Sequence, residues 1–100
     1  MTTTVWTISR WSKEWIGDIA VAANGTPVTT WTYAVLAQGQ QPASADAIDG
    51  TPEVIGAERG ILVGPGTSHV LSPGTYVIWL RYVANPEAPV INDFGVIVVT

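Results

Sequence analysis

Glycine and proline break this sequence before a helix can establish itself. Ten glycines and seven prolines are spread through 100 residues, and no window keeps apolar residues at 3.6 spacing for three turns. Proline removes a backbone donor, and glycine raises the entropic cost of a fixed conformation, so each works against a helix interior. The stretches between them are rich in valine, isoleucine, threonine and aromatics, the composition of strands. Only Trp11 to Trp15 is a candidate for a single helical turn. The chain is therefore expected to be all-β, and 100 residues make one domain, 1–100. A chain of this length buries roughly 60–70% of the surface its unfolded form exposes, so a core is possible without covalent staples.

Turn residues delimit the expected strands. They are Thr3 to Arg10, Ile16 to Ala23 (ended by Asn24-Gly25), Thr29 to Gln38, Glu53 to Gly56, Arg59 to Val63, Gly74 to Val83 and Phe94 to Thr100. Gly64-Pro65-Gly66 is a tight turn, and Gly39 to Asp49 is polar, small and irregular, the most loop-like stretch. About seven short strands with regular turn signals suggest an antiparallel sandwich. One register stays open. A two-residue turn at Asn24-Gly25 sets Val21 opposite Val28 and Asp18 opposite Trp31, with Trp31, Tyr33 and Val35 on the face away from Val21. A bulge or a longer loop through Thr26-Pro27 reverses this.

Charge is scarce. Charged residues make up 12% of the chain and hydrophobic ones 47%, against about 25% charged in typical soluble domains. So neutral a surface suits a subunit that neighbours partly cover. The cations are Arg10, Lys13, Arg59 and Arg81, and the net charge is −4. Scattered in this way, they cannot make the row of phosphate contacts that nucleic-acid binding needs, nor a patch for an anionic membrane. With no cysteine, disulfides, thiolate catalysis and Cys-ligated metals are excluded. Met1 is followed by three threonines rather than a basic and then apolar leader, so no secretory signal is expected. The longest apolar runs are about four to six residues, far short of the ~20 that span a bilayer.

The most informative stretch is Leu71-Ser72-Pro73-Gly74-Thr75-Tyr76-Val77-Ile78-Trp79-Leu80-Arg81-Tyr82. Side chains alternate along a strand, so Tyr76, Ile78, Leu80 and Tyr82 share one face, and Val77, Trp79, Arg81 and Val83 the other. The L-x-P-G-x-Y pattern resembles the tyrosine corner of immunoglobulin-like folds. That resemblance turns Tyr76, Ile78 and Leu80 inward and leaves Val77, Trp79 and Val83 outward. If Ile97 and Val99 of the last strand also point inward, Val96 and Val98 join Val77 and Trp79 in an outer patch with Arg81 at its edge. Contiguous exposed apolar surface marks a docking site, and Trp and Arg are favoured interface anchors. The competing expectation is that Gly39 to Asp49 folds over the patch.

Trp6, Trp11 and Trp15 lie within ten residues of one another. At least one is expected in the core, and residues 1–15 are a candidate docking arm. Catalysis is not expected. His69 is the single histidine, adjacent Ser68 points the opposite way on a strand, and a G-x-S-x-G elbow is missing. Asp46, Asp49 and Glu53 lack the calcium-loop pattern. Glu14, Asp18, Glu58 and Glu87 show no pairing for glycoside cleavage. Asn24-Gly25-Thr26 matches the glycosylation triplet but is better explained as a turn. Pro86-Glu87-Ala88-Pro89 stiffens the last connection. No cofactor is implied.

The last third, GTYVIWLRYVANPEAPVINDFGVIVVT, is similar to small immunoglobulin-like domains in structural proteins of tailed bacteriophages, through Gly74, Tyr76, Trp79, Pro86, Glu87, Pro89 and Gly95. The resemblance implies an immunoglobulin-like β-sandwich of about seven antiparallel strands. It also implies a non-enzymatic virion protein of the capsid decoration or accessory type, assembled in the host cytoplasm. Its partners would be the major capsid protein, other virion proteins or further copies of itself. The residues expected to carry docking are Trp6, Trp11, Trp15, Val77, Trp79, Arg81, Val96 and Val98. The alternatives are a tail or neck subunit, or a host-surface or carbohydrate-binding module with Trp31 and Tyr33 as its platform.

Overall fold

The structure, a computed structural model, describes residues 4–17, 19, 21–23, 25–28, 30–83 and 88–100. It is all-β. Among the described residues nine strands follow in order: β1 (Thr4–Ile8), β2 (Glu14–Ile16), β3 (Val21–Ala23), β4 (Thr26–Val28), β5 (Trp31–Ala37), β6 (Glu53–Ile55), β7 (Glu58–Val63), β8 (Gly74–Tyr82) and β9 (Val90–Val99). The principal sheet has the order β1-β9-β8-β5, a second β2-β7-β6, and β3-β4 form a separate ribbon. This is more strands than the seven expected, and one pairing departs from the antiparallel expectation: β1 runs parallel to β9.

The core lies where the inward residues of both sheets meet. Ile16, Ile61 and Val63 come from β2 and β7. Trp31, Tyr33, Ile78, Leu80, Ile97 and Val99 come from β5, β8 and β9. The expected alternation in β8 and β9 is observed, since Ile78, Leu80 and Ile97 are fully buried. Tyr76 makes the upstream backbone bond that its sequence context led one to expect: its Oη donates to the Ser72 carbonyl at 2.7 Å. This ties the β8 entry to the chain that precedes it.

Val21 pairs with Val28 and Ala23 with Thr26, the two-residue hairpin register. Yet Val21, Trp31 and Tyr33 all belong to the same core. β4 and β5 belong to different sheets, so strand alternation does not carry from one to the other, and the register left open by the sequence resolves as a two-residue turn with Trp31 and Tyr33 in the same core as Val21. The expected strand from Ile16 to Ala23 is two strands in different sheets. Trp11 to Trp15 is not helical: Ser12 N–H bonds to the Ser9 carbonyl in a tight turn, and Glu14–Ile16 is extended. Residues 1–3, Asp18, Ala20, Asn24, Thr29 and 84–87, with the Asp18–Trp31 pairing and most of the Pro86–Pro89 connection, lie outside the described residues.

Candidate functional site

Two places gather side chains in ways the core does not require. The larger is the outer face of the principal sheet. Register places Leu36 beside Val77, Val77 beside Val96, and Val96 beside Val5, an apolar row across four strands. The next row is Thr75, Val98 and Thr7. Val5, on the edge strand, is 56% exposed, whereas Leu36, Val77, Val96 and Val98 are half-buried.

The 39–50 segment lies on the β5–β8 half of this face. Gln38 N–H bonds to the Thr75 carbonyl at 3.0 Å and starts the crossing. Arg81 Nη1 donates to the Ala45 carbonyl at 3.1 Å and to Asp46 Oδ1 at 3.0 Å. Ala45–Ala47 makes one 3₁₀ turn. Thr32 Oγ1 donates to the Ile48 carbonyl at 2.6 Å, and Gly50 exchanges two backbone hydrogen bonds with Tyr33. Ile48 is 1% exposed. Trp79 therefore faces outward, as alternation requires, but lies against this loop instead of open solvent. Its Nε1 is buried with no acceptor in reach among the described residues. A cleft of about 380 Å³ beside it is bordered by the loop, Val90 and Asn92.

The second place is a cleft of about 190 Å³ bordered by Lys13, Tyr33, Glu53, Thr67, Ser68 and His69. Tyr33 Oη and His69 Nε2 are 2.7 Å apart. The turn carrying His69 is internally fixed. Gly64 N–H bonds to the His69 carbonyl, Thr67 Oγ1 donates to the Gly64 carbonyl, and His69 N–H donates to Thr67 Oγ1. Burial lowers the His69 pKa below its ordinary value. Burial, and then the Glu53 carboxylate, raise that of Tyr33. Both groups are thus held neutral near pH 7, one donating to the other. The sequence offers His69 only Ser68 as a polar neighbour, and the structure pairs it elsewhere. Its partner is 36 positions away, and no local pattern announces the pair.

The expected docking residues separate into groups. Val77, Trp79, Arg81, Val96 and Val98 share the outer face, with Trp79 and Arg81 engaged by the loop. Trp6 lies on the inner face and packs against the core, and a Cβ at Gly95 would run into its ring. Trp15 lies over Gly17 and Gly60, whose missing side chains make room for the indole. Trp11 is 77% exposed, with the Arg10 guanidinium 4.9 Å above its ring. The described part of the candidate arm is built into both sheets, through β1 and β2. Trp31 and Tyr33, the expected sugar platform, are 3% and 5% exposed. That burial rules them out as an open stacking surface. Scanned against protein families, curated protein sequences and solved structures, the chain matches none.

Proposed function

We propose that this chain is a non-enzymatic structural accessory module of a tailed-phage particle, docking on the head shell through the β9–β1 half of its outer sheet face. The observation that carries this reading is the apolar row that Val96 and Val5 continue across β9 and β1, with Val98 beside it, outside the hydrogen-bonded reach of the described 39–50 loop, on a chain with only 12% charged residues. Burying such a row against the major capsid protein yields roughly 25 cal/mol per Å² before association costs. Two features support an immunoglobulin-like sandwich as the scaffold. One is the strand order β1-β9-β8-β5 over β2-β7-β6. The other is the Tyr76–Ser72 corner bond, the feature that the sequence resemblance implied.

A non-catalytic role also suits the Tyr33–His69 pair, whose two groups satisfy each other and tie the 64–69 turn to β5. The test is co-sedimentation of the purified chain with heads of the source phage. Retention that Val96→Asp abolishes supports the proposal. Failure to sediment, with closed rings in negative stain, moves the assignment to a tail or neck subunit.

A further inference from the structure

We infer that the cleft between the 39–48 loop and β9 is a binding site for a neutral saccharide, with Trp79 as its platform and the loop as a flap. Two concavities meet at Trp79. One, about 380 Å³, includes Gln41, Ser44, Val90 and Asn92. The other, about 210 Å³, includes Gln40, Gln41 and Asn92. Because Gln41, Trp79 and Asn92 border both, they form one trough, of the size that takes a small molecule (about 300–1,000 Å³).

The chemistry of the wall selects the ligand. Its described polar side chains are two glutamines, an asparagine and a serine, all neutral. Amides and hydroxyls each offer a donor and an acceptor, matching a ligand whose groups do the same. No charged side chain borders the trough among the described residues, and Arg81 and Asp46 of the neighbouring strand and loop engage each other at 3.0 Å, so it offers no free counter-charge to an anion or an amine. Trp79 adds an apolar ring and a donor with no described protein acceptor. A pyranose answers both needs: its C–H face packs on indole, and a hydroxyl accepts from Nε1–H. A proline-rich peptide is the weaker match, because such ligands dock in grooves lined by several aromatics, and this trough has one.

Nε1 is covered, so binding requires the loop to lift. Its ends are fixed, by Gln38 N–H to Thr75 O at one side and Thr32 to Ile48 at the other. Between them the tie is Arg81, whose partner Asp46 is 90% exposed. Ion pairs of that kind are weak. Residues 43–47 are exposed, and none of them belongs to the buried core. The flap therefore opens at its middle while its anchors stay closed. This site adjoins the docking surface on β9, where Val90 and Asn92 border it, but its lining includes neither Val96 nor Val5, and its test needs no phage particle.

The experiment is a titration of the full chain, labelled with ¹⁵N, followed at the five tryptophan indole resonances. The probes are neutral oligosaccharides of glucose, mannose, galactose and xylose, with a proline-rich peptide as the competing class. Trp79→Phe assigns the Trp79 signal. The expected result is a shift of that signal with one or more saccharides, while the signals of the core-packed Trp6 and Trp31 stay in place. The affinity should weaken about tenfold in Asn92→Ala and in Gln41→Ala, each losing one or two hydrogen bonds. Asp46→Asn should tighten binding by no more than about fivefold, because it loosens the flap. Near-UV circular dichroism of each variant confirms that the fold is kept. A Trp79 signal unmoved by every saccharide overturns the inference. So does one moved only by the peptide, or a shift indifferent to Asn92 and Gln41.

Discussion

The two halves of the outer sheet face start from similar residues and are finished differently. On β5 and β8, Leu36, Val77 and Trp79 alternate outward, and the 39–50 loop crosses over them. On β9 and β1, Val96, Val98 and Val5 alternate outward, and all the hydrogen bonds that the described loop makes to the sheet fall on the other half. The difference lies in what each half offers a passing chain. β8 presents Arg81, which reaches the Ala45 carbonyl and the Asp46 carboxylate, and β5 presents the Thr32 hydroxyl and an edge that pairs with Gly50. Outward side chains on β9 and β1 are mostly aliphatic or threonine, with Asn92 at the boundary. An apolar sheet face is therefore covered by the described loop where polar anchors accompany it, and is left uncovered by that loop where they do not.

The sharpest way to break this comparison is to remove the buried anchor of the covered half. Ile48→Ala should cost about 2–4 kcal/mol in urea unfolding, the usual penalty for emptying a fully buried isoleucine site. A cost near zero would mean that the loop is not part of the cooperative fold. On the open half, Val96→Asp should weaken head binding by about 2 kcal/mol or more, roughly 30-fold, with the domain still folded. The same substitution should leave the Trp79 indole environment unchanged, and a large change there would mean that the halves are coupled.

Smaller effects are expected where exposed or single bonds are involved. Tyr76→Phe should lose about 1 kcal/mol with the Ser72 bond, measured from the shift of the urea midpoint. The His69 contribution depends on pH. Its folded pKa lies below the ordinary value of 6.5, so the unfolded chain takes up the proton first. Stability is therefore full above about pH 6.5 and falls as the pH drops toward the folded pKa. The groups around the cleft are Tyr33, Glu53 and Lys13. His69→Gln should flatten this part of the stability–pH profile, and an unchanged slope would remove His69 as its source. Asp46→Ala should have the smallest effect, under about 1 kcal/mol, because the Arg81 pair is exposed.

Local pattern in the sequence revealed a good part of this. The all-β class followed from glycine and proline spacing. The inward set Ile78, Leu80 and Ile97 followed from period-2 alternation, and the Tyr76 bond from L-x-P-G-x-Y. The missing parts depend on distant partners. Nothing local says that β1 runs parallel to β9, because the pairing joins the two ends of the chain. The inward face of Trp31 depends on β4 and β5 belonging to different sheets, so that alternation along the sequence stops being a guide. Trp6 is settled by Gly95, some ninety residues later, whose missing side chain leaves space for the indole. The loop over Trp79 was one of two expectations, decided by Arg81 meeting a carbonyl and a carboxylate about 35 residues earlier.

The central claim is that the β9–β1 half is the docking half. On the proposed function it is tested most directly by sedimenting tailed-phage heads with the intact chain, with Val96→Asp and with Asp46→Ala. The account predicts that the intact chain and Asp46→Ala pellet with the heads while Val96→Asp stays in the supernatant as a folded protein. Equal pelleting of all three, or loss of binding in Asp46→Ala alone, would contradict it.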